Sequence, residues 1–472
     1  MTVRRRPPAR RKHRGKARPE ALWSAGFESS PGAALARLSV SHPFDRGLAG
    51  VDLRGTLAHA RGLLRSGLLS RAALDRVERA LRTIAREIEE GRFEFRDADE
   101  DIHLNVERRL IELAGDAGRR IHAGRSRNDQ VALDLRLWTM GAIDRGTSGL
   151  RSLGLALLAR AEELLAEGVI VAARTHMRTA QPVLLAHAFH AWIEMLLRDL
   201  ARLRDARGRA AVSPLGAGAC AGSTLPLDRA GVAAELGLPA LSANSLDAVS
   251  DRDFAAEFEA AAALAMAHLS RIAEDLILWT GEEFRVFSLS DATATGSSMM
   301  PQKKNPDSLE LVRGKCGRVF GNLVATLTIL KGLPLAYDRD LQETQEPLFD
   351  TARSLELSAA ALEEVVSGLR LRPEMERPPV DPSSLATDVA EELVRRGVAF
   401  RAAHERVARW SRRASESGRD LREVVRSEAP ELRAFADALT FESSVRSRDG
   451  VGGTSPRRVR AALRRARRLL GA

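Results

Sequence analysis

From residue 249 to 280 the chain runs without a glycine or a proline, and Phe254, Phe258, Ala261, Ala265, Leu269, Ile272, Leu276 and Trp279 recur on one stripe at the helical period. At 1.5 Å per residue such a helix is about 45 Å long. A small domain cannot cover a stripe of that length, so the pattern calls for an extended helical bundle, shared between subunits where one chain cannot complete it. Ser250 with Asp253 three residues on is the expected opening of this helix. Residues 183–207 are a second long stretch free of Gly and Pro. A third helix is expected after Asn305, Pro306 and Asp307, which supply a cap, a first-turn proline and an acid at the positive end of the dipole. It carries Gly314, Gly317 and Gly321 at three- and four-residue spacing, which lets a neighbouring helix approach closely. Aromatics are 4% of the chain and alternating β-branched runs are nearly absent, so the fold class is all-α. Gly-, Pro- and charge-rich stretches near 119–128 and 372–384 divide the expectation into a basic tail (1–20), an N-terminal helical domain (21–126), a central long-helix bundle (127–378) and a C-terminal helical domain (379–472).

The formal charge of +10 is concentrated at the ends. Residues 1–20 hold nine Lys or Arg against Glu20 alone, and a second basic run from Arg457 to Arg468 interleaves with Val459, Leu463, Ala466 and Leu470 at helical spacing. Neither run carries aromatics to stack bases, so a solvated tail and a solvated helix face are the expectation, rather than a nucleic-acid partner. No apolar run reaches the roughly 18 residues of a membrane span. Cys220 and Cys316 lie far apart and form neither a disulfide framework nor a paired-thiol metal motif, which suits a reducing compartment. The tail lacks the apolar stretch of a secretory signal and the serines of a transit peptide, so a cytoplasmic location is expected.

Of 73 basic residues only six are Lys, and outside the tail all four fall between Lys303 and Lys331, with the single tyrosine, Tyr337, six residues later. An ammonium and a guanidinium are not interchangeable where a compact charge is needed, so this is the first place to look for chemistry. Residues 293–306, TATGSSMMPQKKNP, join small hydroxyl residues and a glycine to two lysines and a helix start, where amides, dipole and ammonium converge on an anion. An ordinary polar surface loop is the alternative on these grounds alone. Three further clusters concentrate polar groups: Asp101 with His103, residues 124–130 (GRSRNDQ), and Thr175 with His176 through Gln181. Arg127 and Asn128 are suited to hold a carboxylate, and His176, expected just before a helix, to exchange a proton. His103 and Glu107 at helical spacing have no third ligand in the pattern, so no metal is expected.

Residues 296–305 resemble the loop signature of the fumarase and aspartase superfamily, whose members eliminate fumarate from a substituted succinate. Residues 124–130, 244–258 (NSLDAVSDRDFAAEF), 296–313, 331–342 and 452–460 resemble more narrowly the argininosuccinate lyase family, from about Leu22 onward. The resemblance implies a three-domain, fumarase/aspartase-like fold with a long central bundle. It also implies β-elimination of argininosuccinate to L-arginine and fumarate, the last step of arginine biosynthesis, with no cofactor. It makes Ser297 the base, assisted by Lys303, and His176 the proton donor to the leaving group, oriented by Glu310. It places Ser41, Asp45, His103, Arg127, Asn128, Thr175, Asn305, Tyr337, Arg339 and Gln342 on the substrate, in a homotetramer whose active sites are shared between subunits.

Several positions depart from the family pattern: Arg174 stands where Tyr is usual, Met177, Arg178 and Thr179 where Leu-Gln-Arg is, Arg339 and Gln345 where Lys is, and Trp23 to Phe27 lack the usual Arg. The rivals are a superfamily lyase acting on adenylosuccinate, malate or aspartate, and a structural protein on the same scaffold. Retention of Ser297, Lys303, His176 and Glu310 argues against the second.

Overall fold

The structure, a computed structural model, describes residues 32–376 and 380–471. The basic tail 1–20 and the departure at Trp23 to Phe27 lie outside the described residues. Helices carry the fold; the strands are short and pair two by two. No helix among the described residues is long and apolar enough to cross a membrane. Two compact units emerge, one of residues up to 138 with 212–250 and 335–337, the other of residues 139–211, 251–334 and 338 onward.

In the first unit the helices Ala49–Arg65, Arg71–Glu89 and Ile102–Ala114 pack together with the first turns of Arg127–Glu167. Helix Arg71–Glu89 shows why: Ala73, Leu74, Val77, Ala80, Leu81 and Ile84 make a buried stripe at three- and four-residue spacing. Ser70 caps it by accepting the Ala73 N–H, and Asp101 caps the next helix by accepting the Leu104 N–H.

In the second unit the helices Leu185–Ala210, Asp253–Thr280, Asp307–Leu330 and Gln345–Gly368 form the bundle. The stripe of Asp253–Thr280 is buried from Phe254 to Leu276. Its end meets Phe189, Trp192 and Phe287 through Trp279, with the two tryptophan rings 5.1 Å apart. The helix starts three residues later than its pattern allows. The Asp251 carboxylate takes the Asp253 N–H at 2.8 Å, and this local turn separates the long helix from a short one, Ser245–Ser250. Ser250 is therefore not its cap; the Ser250 hydroxyl donates back to Leu246 O.

Two more expectations are corrected here. Asn305 does not cap helix Asp307–Leu330, because it pairs with Thr295 in a short ladder and Pro306 takes the capping position. His176 does not precede a helix: residues Ile170–Thr175 and Arg178–Leu184 form an antiparallel hairpin with His176 and Met177 at its tip. The glycines of helix Asp307–Leu330 face open space, with no atom within 4 Å of a Cβ placed at Gly314, Gly317 or Gly321. The buried side is the opposite one, from Leu309 through Val312, Cys316 and Val319 to Thr326.

Within the same unit residues from Leu385 to Leu439 build a small core of their own around Trp410. The C-terminal helix Pro456–Leu470 buries Val459, Leu463, Ala466 and Leu470, and four of its arginines are paired, Arg457 and Arg458 with Asp449, Arg465 with Glu194 and Arg467 with Glu162. Both cysteines are free.

One buried acid interrupts the apolar packing. Glu259 is fully buried on Asp253–Thr280; its Oε1 accepts from Thr326 Oγ1 at 3.0 Å and its Oε2 has no partner. Burial pushes this carboxyl up to about 8, so it is held as the neutral acid. Its pKa is raised on folding, so its contribution is fully present below the unfolded value near 4.5 and is lost as pH rises toward 8. Glu259→Gln, isosteric with the neutral acid, is expected to flatten the fall of Tm between pH 5.5 and 8, as read by calorimetry; an unchanged pH dependence would refute the buried titration.

Candidate active site

The second unit holds the reactive loop. Its stem is the ladder Thr295↔Asn305 and Gly296↔Lys304, closed at the base by Ser308 Oγ donating to Thr293 O at 2.8 Å and by an ion pair of Lys304 with Asp291. At the head of the loop Ser297 Oγ accepts two backbone amides, Met299 N–H at 3.2 Å and Met300 N–H at 3.0 Å. Amides aimed at a hydroxyl oxygen stabilise its ionised form, which is what a serine needs to act as a base. Lys303 follows on the same loop with an exposed ammonium that has no partner among the described residues. Asn305 is half-buried in the stem.

Thr175 and His176 crown the 170–184 hairpin, both exposed. His176 (φ 52°) and Met177 (φ 60°) are both left-handed, the backbone of a two-residue hairpin turn, at a cost of roughly 1–2 kcal/mol for each non-glycine residue. Among the described residues His176 has no hydrogen-bond partner, and the Glu310 carboxylate lies 3.9 Å from Arg313, so a single chain does not bring the two together. Arg339 and Gln342 lie on the short helical turn Arg339–Thr344. Gln345 opens the next helix, buried, with its Oε1 unpartnered.

The first unit holds the other candidates. Ser41 Oγ donates to Asp45 Oδ2 at 2.6 Å and Asp45 Oδ1 accepts the Ile102 N–H at 3.1 Å, both residues buried. Arg127 is committed to Asp101 (3.3 Å), Glu107 (3.5 Å) and Gln130. Asn128 Nδ2 donates to Ala219 O at 3.1 Å. Between them Asp129, fully buried, accepts the amides of Gly216 and Gly218 on Oδ2 and of Ser126 on Oδ1. That ties the 214–222 loop to the helix start, and the loop needs its glycines: Gly218 has φ 62° and a Cβ there would sit 2.7 Å from Gly222 O. Tyr337 packs on Ala217, Ala248 and Val249.

His103 lies inside the unit. Its Nδ1 is 3.1 Å from Asp52 Oδ1 and 3.2 Å from Asp134 Oδ2, and all three side chains are about 1% exposed. Burial alone would strip its proton, but the hydrogen bonds to Asp134 and Asp52 outweigh it and hold the imidazole charged, up to about 10. Burial likewise opposes the Asp52 charge, yet His103, Arg125 and Gln130 pull that carboxyl down to about 2, while burial and the Asp52 charge push Asp134 up to about 7. The three ligand atoms lie within 4.8 Å of one another, the spacing of a metal site. With its Nδ1 protonated, His103 is a cation between two acids. Asp129 belongs to the 124–130 cluster that the sequence marks, whereas Asp52 and Asp134 were not singled out; the available signal for Asp134 was an acid inside a mostly apolar helical run, 131–137 (VALDLRL).

Removing that cation leaves two buried acids facing each other. His103→Ala is expected to cost about 3–5 kcal/mol of unfolding free energy at pH 7, against about 1 kcal/mol for Asp134→Asn, which replaces an acid already about half protonated at that pH. Urea unfolding of the two variants gives the comparison, and equal losses would refute a charged His103.

A family profile described as Lyase matches residues 32–321, and one described as Argininosuccinate lyase C-terminal matches residues 383–447, the segment with its own small core. The chain is 47% identical to the argininosuccinate lyase of Alkalilimnicola ehrlichii, covering 95% of this chain and 97% of that one. It is 48% identical to that of Roseiflexus sp. (strain RS-1), covering 95% and 99%. The crystal structure of EDDS lyase in complex with formate aligns with a TM-score of 0.80 at 28% identity, over 92% of this chain and 88% of the other. The 3-carboxy-cis,cis-muconate lactonizing enzyme of Pseudomonas putida shares the fold, with a TM-score of 0.69 at 22% identity over 93% and 97%. Long helices with chemistry on their connections define a lyase of the fumarase and aspartase superfamily. Within that class the chain belongs to the argininosuccinate lyase family.

Proposed function

We propose that this chain cleaves argininosuccinate to L-arginine and fumarate by β-elimination, the closing step of arginine biosynthesis, in the cytoplasm. The observation that carries the reading is the pair of loop amides on Ser297 Oγ. Ser297, ionised with help from those amides and the nearby Lys303 ammonium, takes the proton from the carbon beside a succinate carboxylate. The electron pair left on that carbon becomes the C=C bond of fumarate as the C–N bond to the guanidino group breaks, and His176 returns a proton to the departing nitrogen. Thr175, Asn305, Arg339 and Gln342, with Ser41, Asp45, Arg127, Asn128 and Tyr337, hold the two ends of the substrate, and Glu310 orients His176. We assign His103 to the interior beneath Arg127 and Asn128 in preference to direct contact.

The active unit in this reading is a homotetramer with shared sites. It is supported by the unpartnered His176 and by the open face of helix Asp307–Leu330, where three glycines lie beside Leu311 (63% exposed), Val324 (62%) and Leu327 (52%). An apolar face with that many exposed aliphatics calls for a protein cover, and glycines let a second helix come close.

Fumarate release, followed by ultraviolet absorbance, is to be measured with argininosuccinate, adenylosuccinate, malate and aspartate in parallel; turnover of argininosuccinate alone is expected, and turnover of another substrate instead would overturn the assignment. Ser297→Ala should assemble normally and lose a factor of about 10² or more in kcat. For the assembly, inactive His176→Ala and Ser297→Ala subunits mixed and reassembled should regain part of the activity, and verified mixed tetramers without recovery would exclude shared sites.

A further inference from the structure

Arg174 precedes Thr175 and His176 on the hairpin, and its guanidinium carbon stands 4.4 Å from the centroid of the Phe284 ring. The hairpin needs such a tie. Its base pairs regularly, Ile170 with Leu184, Val171 with Val183 and Ala172 with Pro182, but the register breaks between Ala172 and Arg174. Beyond the break only the pairs Arg174↔Thr179 and Thr175↔Arg178 remain before the turn. A register break bends the strand and disrupts the ladder locally, so the regular pairing of the base does not by itself fix the angle of the tip. Residues 174–179 are all exposed, and among the described residues none of them has a side-chain hydrogen bond or ion pair. The Phe284 ring is thus the anchor available to the tip.

That anchor is itself fixed. Phe284 lies in the turn after helix Asp253–Thr280, where Val286 N–H donates to Trp279 O at 2.9 Å and Arg285 N–H to Gly281 O at 3.0 Å. The strand Phe287–Ser288 that follows pairs with Arg370–Leu371, and Arg372 Nε donates to Phe287 O at 3.0 Å. The same stretch of chain continues into Thr293 and the Ser297 loop. Guanidinium on ring therefore joins the segment that carries His176 to the root of the segment that carries Ser297.

We infer that Arg174, through its seat on Phe284, is a positioning residue that sets the orientation of the His176 tip for proton delivery in the elimination. The inference rests on His176 being the proton donor. A planar guanidinium over a ring face is directional, unlike a solvated ammonium or an aliphatic contact, so it holds the tip at one angle.

The test uses the full-length assembled enzyme with argininosuccinate. Arg174→Ala and Phe284→Ala should each lower kcat about two- to fivefold with KM little changed, the range expected for losing one exposed cation–π contact. The double variant should be no worse than the poorer single one, since both remove one interaction. Phe284→Trp keeps a ring face and should retain wild-type kcat, whereas Phe284→Leu should fall with Phe284→Ala. Hydrogen exchange in a peptide spanning residues 172–180 should quicken in both alanine variants, a readout independent of turnover. Additive losses, a loss confined to KM, or rescue by leucine as good as by tryptophan would overturn the inference. Undiminished turnover in His176→Ala would overturn the proton-donor assignment and this inference with it; a severe His176→Ala defect beside a neutral Arg174→Ala would overturn this inference alone.

Discussion

The stripe from Phe254 to Leu276 must be kept from water along most of a 28-residue helix, and only other long helices have the reach to cover it. That requirement orders the second unit. Leu185–Ala210, Asp307–Leu330 and Gln345–Gly368 are of comparable length because each spends a face on the same core. Most of the groups proposed to carry the chemistry sit on the connections: His176 on the hairpin before Leu185–Ala210, Ser297 and Lys303 between Asp253–Thr280 and Asp307–Leu330, and Arg339 with Gln342 on the turn before Gln345–Gly368. A rigid bundle gives such connections fixed ends, and short ladders such as Thr295↔Asn305 give them shape.

The first unit solves a different problem. It buries a cation, His103, between Asp52 and Asp134, and brings Gln130 and Arg125 into the same set. Isolated buried charges are costly, but here each is matched, and the matching joins the helices Ala49–Arg65, Ile102–Ala114 and Arg127–Glu167 at one point. Close to this point in sequence lie Arg127, paired with Asp101 and Glu107, and Asn128 and Asp129, which fix the 214–222 loop. The interior charges thus act as a foundation for the polar residues proposed to meet substrate.

The helical class, the long stripe, the amphipathic C-terminal helix and the reactive loop were legible because each depends on residues close in sequence. Helical spacing of Phe254, Phe258 and Ala261 or of Val459, Leu463 and Ala466 states which face is buried without reference to a partner. The 170–184 hairpin was missed because its two strands are short and its turn uses His176 and Met177 where Gly or Asn would have announced it. The start at Asp253 was missed because Asp251, not Ser250, takes the Asp253 amide, while the Ser250 hydroxyl turns back to Leu246 O. The glycines of Asp307–Leu330 were expected to admit a neighbouring helix, and within one chain none comes near.

By itself the sequence determined the mostly helical class, the family, and the groups proposed to carry the chemistry, since these follow from periodicity and from contiguous motifs such as GSSMMPQKKN. Only the tertiary structure decided which of those groups face outward and which are interior. Arg174 on Phe284 and His103 enclosed by Asp52 and Asp134 join residues whose partnership depends on how chain segments pack, with partners 110 and about 50 or 30 positions apart in sequence. Periodicity reports that a residue is buried; it carries no information about what is buried beside it, and for a charged group that neighbour decides its protonation and its role.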